Sequence, residues 1–438
     1  MNATLEKSLD YIVILLTFLA GILFLATAFN SFYWMDDFWK RFDILQVGFI
    51  QFQKDIYLNW DGRAISPVYT VRNVVLYFVD YHYSWFATLI AMGFLVATSF
   101  LFLKMLALNN WKEFSIEKKW IFTTLICCIL ILVFRPHLSR SLYWATGTFY
   151  IYANFFSILI MSRLLFCPES KWNWFWIFTA VSSGPNNGVM VLAFLFLGHF
   201  LKIILLTPQN FYFLFLIGIS ALVLVVIAPG NFTRAGGQID FALMSMVLGG
   251  WTILKEYIGM SLWIFPGSLI IAITLASKIN QDNIALPLLI CCSASALCSI
   301  LPFLPMPIAA SKHTSIFFQT FFLLGLILFW LFLKNQFYYK IPSGSIYPLL
   351  IFTFLFFANQ MIIQLITGRS IKIEIDKRFE IMEANRGSNM ELCFAPIIIP
   401  SNNWVSRFWD ISEDPTYSSN IHHQQYFETG KIKLKQFD

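Results

Sequence analysis

The chain reads as an all-α polytopic membrane protein with about eleven transmembrane helices and a small α+β extracytoplasmic C-terminal domain. Three observations predict this. Of its 438 residues, 58% are hydrophobic and only 12% are charged, about half the charge of an ordinary soluble domain. Apolar runs of about 17 to 24 residues recur along most of the length, each long enough to cross a hydrocarbon layer of roughly 30 Å. The last 71 residues are different material: they hold nine Lys or Arg and ten Asp or Glu, with Pro396, Pro400 and Pro415 as breaks.

The first span, Tyr11 to Asn30, follows Lys7 and ends in Ala26-Thr-Ala28, which mimics a signal-peptidase site. Its apolar core of about 19 residues exceeds a typical signal-peptide core, so an uncleaved anchor is expected. Further spans lie near 84 to 106, 119 to 134, 143 to 166, 187 to 206, 211 to 228, 260 to 278, 285 to 304, 314 to 334 and 346 to 367. A shorter run, Trp172 to Gly184, breaks at Gly184-Pro185-Asn186-Asn187-Gly188 and counts as a span that ends early. The division expected is a transmembrane module over 1–367 and an outer domain over 368–438, with strand-like runs at Ser370 to Ile375 and Leu392 to Ile399.

Orientation follows from the cations. A cytoplasmic N-terminus puts Lys7, Lys104, Lys118, Arg163, Lys202, Lys278 and Lys334 on the cytoplasmic side, as the positive-inside rule asks. The outer side then holds 31 to 83, 135 to 142, the tip at 184 to 188, 229 to 259, 305 to 313 and the C-terminal region. Within these, 64 to 82 and 241 to 259 are expected to lie along the interface, since Arg72, Asn73, Asp80, Lys255 and Glu256 interrupt them. The net charge of +6 is spread through short loops and is no nucleic-acid footprint. The seven cysteines show neither a disulfide framework nor zinc spacing.

Directly behind the first span stands Asp36-Asp37, within Ser31-Phe-Tyr-Trp-Met-Asp-Asp-Phe38. Carboxylates at a bilayer surface are costly to desolvate and call for an explanation. Further along the same loop comes Tyr57-Leu-Asn-Trp-Asp-Gly-Arg63-Ala-Ile-Ser66, with the flat face of Trp60 beside a turn glycine. Aromatic faces stack on the C–H patches of a sugar, and carboxylates and amides bind its hydroxyls. A carboxylate near an attacking hydroxyl can also act as general base. A helix cap explains the acidic pair equally simply, because Asp is a good N-cap residue.

Other outer loops bring cations to the same level. Arg135-Pro-His137-Leu-Ser-Arg140 precedes Tyr143-Trp144-Ala-Thr-Gly147, Pro229-Gly-Asn231-Phe-Thr-Arg234 follows a long apolar run, and Lys312-His313 precedes the next span. Guanidinium and ammonium groups here can hold the phosphate of a lipid-linked donor, or simply contact lipid headgroups. Asn186 and Asn187 can present amides to a sugar, or cap a helix break.

Taken along the whole chain, the anchor, Asp36-Asp37-Phe38, Trp60-Asp-Gly-Arg63, Tyr143-Trp144 with Gly147, Pro229-Gly-Asn231 with Arg234, and the polar tail resemble the GT-C glycosyltransferases. More narrowly, the layout is similar to that of the bacterial and phage-encoded serotype-converting O-antigen glucosyltransferases. The resemblance implies an inner-membrane enzyme, N-terminus cytoplasmic and C-terminal domain periplasmic. It would move a sugar, glucose in that group, from undecaprenyl phosphate to a lipid-linked glycan such as the O-antigen repeat. A donor synthase and a flippase would work alongside it. Carried over, Asp37 or Asp36 would be the catalytic base. Arg234, Arg140, Arg135, Lys312 and His313 would hold the donor phosphate, and Trp60, Arg63, Tyr143, Trp144, Asn186, Asn187 and Asn231 would line the sugar and acceptor site. Asn187 departs from the pattern, which has an acidic residue after the glycine. Some GT-C enzymes bind a divalent metal at first-loop acids; with no third carboxylate securely placed nearby, no metal or other cofactor is expected here. A polyprenyl-linked glycan ligase or polymerase would share the layout but rely on a large interior loop rich in Arg and His. A lipid or solute transporter would need charges at mid-membrane depth.

Overall fold

The computed structural model describes residues 3–108, 110–235, 242–276, 284–305, 314–337, 346–406 and 410–435. It is almost entirely helical. The first span is α1 (Ala3–Ala26), and the loop behind it folds into three short helices, α2 (Met35–Val47), α3 (Phe49–Asn59) and α4 (Pro67–Phe78). Then come α5 (Ser84–Leu106), α6 (Ile116–Phe134), the single turn α7 (Leu138–Ser141), α8 (Phe149–Phe166), α9 (Asn173–Ser182), α10 (Pro185–Phe200) and α11 (Pro208–Val226). The second half comprises α12 (Pro229–Ala235), α13 (Leu243–Gly259), α14 (Ile264–Leu275), α15 (Ala285–Cys298), α16 (Ser315–Phe337), α17 (Ile346–Ala384) and α18 (Ser418–Phe427), with β1 (Leu392–Phe394) and β2 (Ile432–Leu434) as a two-stranded parallel sheet.

Among the described residues, eight helices are long and apolar enough to cross a membrane, and nine if α13 and α14, bent by 57° at their junction, form one broken span. That is the make-up of a multi-pass membrane protein. Each apolar run read from the sequence contains a helix, but among the described residues the count of eleven spans is not reached. Helix α9 has 10 residues and α10 has 16, roughly 15 and 24 Å at 1.5 Å per residue, against a hydrocarbon layer of roughly 30 Å. Helix α4, at 12 residues, is likewise too short to span.

Helix α17 shows where the sequence reading of the tail gives way. It runs 39 residues, roughly 58 Å, straight through the division expected at 367/368. The alternating isoleucines of Ser370 to Ile375 resemble a strand, yet the buried positions are Ile371, Ile375, Arg378, Phe379 and Met382, the i, i+4, i+7 spacing of a helix face. Lys372–Asp376 and Lys377–Glu374 ion pairs run along the same helix. The second expected strand is present only as Leu392–Phe394, paired in register with Ile432–Leu434.

The polar tail is fastened to the loop behind α1. Helix α18 packs on α2, and Phe38, wholly buried, is surrounded by His423, Tyr426, Phe379 and Phe427 at ring-centre distances of 4.6, 4.9, 5.3 and 5.5 Å. A second attachment runs through Gln364 of α17. Its side-chain oxygen accepts from the Trp404 and Val405 amides and its nitrogen donates to the Asn402 carbonyl, while Asn30 donates to the carbonyls of Gln364 and Leu365.

Candidate functional site

The acidic pair forms the first turn of α2. Asp37, fully buried, accepts at Oδ2 from the Trp34 amide (3.0 Å), as a third helical residue does when its side chain reaches back over the helix start. Its Oδ1 accepts from the Thr146 amide at 2.7 Å. Burial pushes the Asp37 carboxyl up, to about 7, against those two hydrogen bonds. Asp36 is set differently. It is partly exposed and paired with Lys40 one turn on, Oδ2 to Nζ 3.1 Å. Burial would raise its pKa, but Lys40, with His422 and Arg72 further off, holds it below the usual carboxylate range. Lys40 is itself buried, which lowers its pKa to about 8 against the pull of Asp36. The two neighbours thus occupy opposite electrostatic settings, a pattern that separates roles in carboxylate sites.

Around Asp36 the structure gathers residues that the sequence left apart. Trp39, half-buried, stacks on His422 of α18 (centres 6.0 Å apart, planes 20° apart) and meets the half-exposed Trp60 edge-on at 5.9 Å. Burial holds His422 below its ordinary pKa, against the opposing pull of Asp36. Helix α4 brings in Arg72, only 2% exposed, whose guanidinium carbon lies 3.9 Å from the Tyr69 ring centre. That helix is fixed at its start by the Ser66 hydroxyl, which accepts from the Val68 amide, and by Pro67. At its end Arg41 of α2 donates to the carbonyls of Leu76, Tyr77 and Val79.

The turn after α3 is tied into place by Asp61 and Arg63. Arg63 donates from Nε to both Asp61 oxygens at 2.9 Å, and its Nη2 completes the pair at 2.5 Å. Its guanidinium also lies over Phe149 and Tyr150. This segment presses on the chain at 225–231. A Cβ on Gly62 would stand 2.2 Å from the Val225 carbonyl oxygen, and one on Gly230 would stand 2.3 Å from the Trp60 amide, so the contact requires glycine on both sides. Asn231 bridges them, accepting from Gly62 N–H and donating to Val225 O.

The remaining sequence candidates separate into other places. The Tyr143 hydroxyl bonds to Thr27 at 2.5 Å, and Trp144 meets Trp34 edge-on at 5.1 Å. Both line a small cavity with Phe32, Ser139, Val405 and Ser406. Arg135 lies over Trp404 of the tail, 5.9 Å from its ring centre, and Arg140 is half-buried on α7. Asn186 and Asn187 are buried at the start of α10. Asn187 donates to the Ala180 carbonyl and to the Ser183 and Ser157 hydroxyls, so its nitrogen fastens α10 to α9 and α8. Arg234 belongs to α12, and its side chain lies outside the described residues, as do Lys312 and His313. Among the described residues no group of three His, Cys, Asp or Glu is placed to hold a metal ion.

Of the sequence candidates, Asp36 and Trp60 therefore share one neighbourhood, and Lys40, Trp39, Arg72 and His422 are its members that sequence reasoning missed. One local signal was available: Lys40 stands four residues after Asp36, the spacing of a helical ion pair. Comparison of the chain with family models, with curated proteins and with solved structures gives no match. The fold and the site thus define a multi-pass, nearly all-helical membrane protein with a carboxylate and cation cluster held under an aromatic shelf.

Proposed function

We propose that this protein is a membrane glycosyltransferase of the GT-C kind, moving a sugar from a polyprenyl-phosphate donor to a lipid-linked glycan at the extracytoplasmic face of a bacterial inner membrane. The observation that carries the reading is Asp36: a partly exposed carboxylate, kept ionised by Lys40, beside the Trp39–Trp60 shelf. An ionised carboxylate can take the proton of an attacking acceptor hydroxyl, and the rings can stack on the C–H face of a hexose. As the acceptor oxygen bonds to the anomeric carbon, the bond from that carbon to the phosphate oxygen breaks. The phosphate leaves with the electron pair and the hydroxyl proton passes to Asp36. Lys40 supplies positive charge next to the developing anion. Asp37, with both oxygens spent on backbone amides, is a positioning residue in this scheme, and the base is assigned to Asp36.

The test is mass spectrometry of the surface polysaccharide from cells with and without the gene. One added hexose per repeat, lost in Asp36→Asn at unchanged membrane abundance, is the expected result. A changed chain length would instead indicate a ligase or polymerase, and no change of either kind would favour a transporter.

A further inference from the structure

Two arginines of the segment behind α1, Arg63 in the turn after α3 and Arg72 on α4, spend the same edge of their guanidinium groups in opposite ways. Arg63 grips Asp61 through Nε and Nη2, the side-on fork that matches two oxygens of one anion. On Arg72 the same two nitrogens are buried and have no hydrogen-bond partner among the described residues, and no carboxylate oxygen there lies within ion-pair distance of it. A buried charge left in this way is costly, and a buried polar group without a partner calls for an explanation.

Its surroundings say what is missing. Arg72 disfavours the charge of the buried Lys40, and Asp36 feels both cations together with His422. Asp36 is the carboxylate paired with Lys40, while the adjacent Asp37 has its oxygens on the Trp34 and Thr146 amides. Helices α2 and α4 pack together, so two buried cations and one paired carboxylate stand on adjoining helices, and Arg72 contributes a forked donor edge with no partner of its own among the described residues. Tetrahedral oxygens of a phosphoryl group can span that arrangement, two on the fork and a third toward the ammonium.

We propose that Arg72, with Lys40, is the binding site for a phosphoryl group, and that in the transferase reading, on which the assignment to the donor rests, this group is the phosphate of the lipid-linked sugar. The cations of the later loops are then not its principal holders. The phosphoryl group can come from a lipid ester or from free phosphate, and binding experiments separate the two.

The full chain in nanodiscs would be titrated with polyprenyl monophosphate, with the corresponding polyprenol and with inorganic phosphate. Wild type is expected to bind the phosphate lipid at least tenfold more tightly than the alcohol. Arg72→Gln should bind both alike, and Arg72→Lys, which keeps the charge and loses the fork, should fall between. Displacement of the lipid by inorganic phosphate would support recognition of the phosphoryl group alone. Failure to displace it would support recognition of the lipid ester. Melting temperature and membrane abundance check the fold. If Arg72→Gln does not fold, Lys40→Gln and the wild-type discrimination carry the test. Equal binding of phosphate lipid and alcohol by wild type, or undiminished discrimination in a folded Arg72→Gln, overturns the proposal. Hexose transfer by Arg72→Gln with unchanged donor KM would remove this assignment and leave the transferase reading standing. Arg72-dependent lipid binding with no hexose transfer would do the reverse.

Discussion

The Asp37 carboxylate accepts a hydrogen bond from the amide of Thr146, 109 residues further along the chain. With its other oxygen on the Trp34 amide, it joins the start of α2 to the turn that follows Tyr143 and Trp144. The two acidic neighbours therefore divide between holding the loop and facing the cations.

That division gives opposite expectations for two conservative substitutions. Asp37→Asn keeps one carbonyl oxygen for two buried amides and loses the negative charge, so one N–H is left without its acceptor at a cost of about 1–3 kcal/mol. Membrane abundance and melting temperature should fall together with activity. Asp36→Asn leaves an acceptor for the buried Lys40 ammonium but removes its counter-charge, so a smaller loss of melting temperature is expected at retained abundance, with transfer lowered by roughly 10²- to 10⁴-fold, the usual contribution of a general base. The reverse pattern would restore Asp37 as the base.

In the transferase reading, the alkaline limb of the pH profile belongs to Lys40. Burial, opposed by the attraction of Asp36, lowers its pKa to about 8, so it is charged below that pH and loses its proton as the pH rises through it. Asp36 lies below the usual carboxylate range and stays ionised throughout. Activity should therefore decline above about 8, and also on the acid side as Asp37, pushed up to about 7, takes up a proton and loosens its hold on the Trp34 and Thr146 amides. In Lys40→Arg, whose side chain keeps its charge, the alkaline decline should move upward by a unit or more. A pH profile of hexose transfer in nanodiscs measures both, and an identical alkaline limb in the variant would exclude Lys40 as its source.

Much of the membrane part was legible because hydropathy over 17 to 24 residues depends little on tertiary partners: the run at 84 to 106 is α5 (Ser84–Leu106). The tail was harder to read. The alternation Ile371, Ile373, Ile375 satisfies a strand by period, and only packing of Ile371 and Ile375 on one helix face decides otherwise. At the site, the acidic pair was visible as charge out of place, but the roles of its members depend on Thr146 and on α4, which no local spacing reports. Arg72 drew attention only as a charge in an apolar segment. Its significance comes from Lys40, 32 positions earlier in the chain and on a different helix.

The Asp61–Arg63 pair can be examined by a double-mutant cycle. Asp61 is 4% exposed and the Arg63 guanidinium is held on its oxygens. Asp61→Leu leaves the partly buried Arg63 guanidinium without its carboxylate and should destabilise the protein by up to about 3 kcal/mol, whereas replacing both partners with apolar residues should recover much of that loss. Thermal unfolding in detergent of Asp61→Leu, of Arg63→Met and of the double variant carrying both gives the coupling. If the losses simply add, the pair does not hold the turn.

Phe38 connects the loop behind α1 to the tail. It is fully buried among Phe379, His423, Tyr426 and Phe427, and truncating such a ring typically costs about 3–5 kcal/mol. Helix α18 carries His422, which stacks on Trp39 beside Asp36, so loosening this cluster should be felt at the site as well as in the tail. Phe38→Ala should expose the chain beyond Ala384 to limited proteolysis in nanodiscs while the apolar helices stay intact. Transfer should fall even though Asp36, Lys40 and Arg72 are unchanged. Phe38→Leu, which keeps most of the buried area, should restore much of both. If the tail of Phe38→Ala resists protease as wild type does, and transfer is lost all the same, then Phe38 acts on α2 directly and not through the tail.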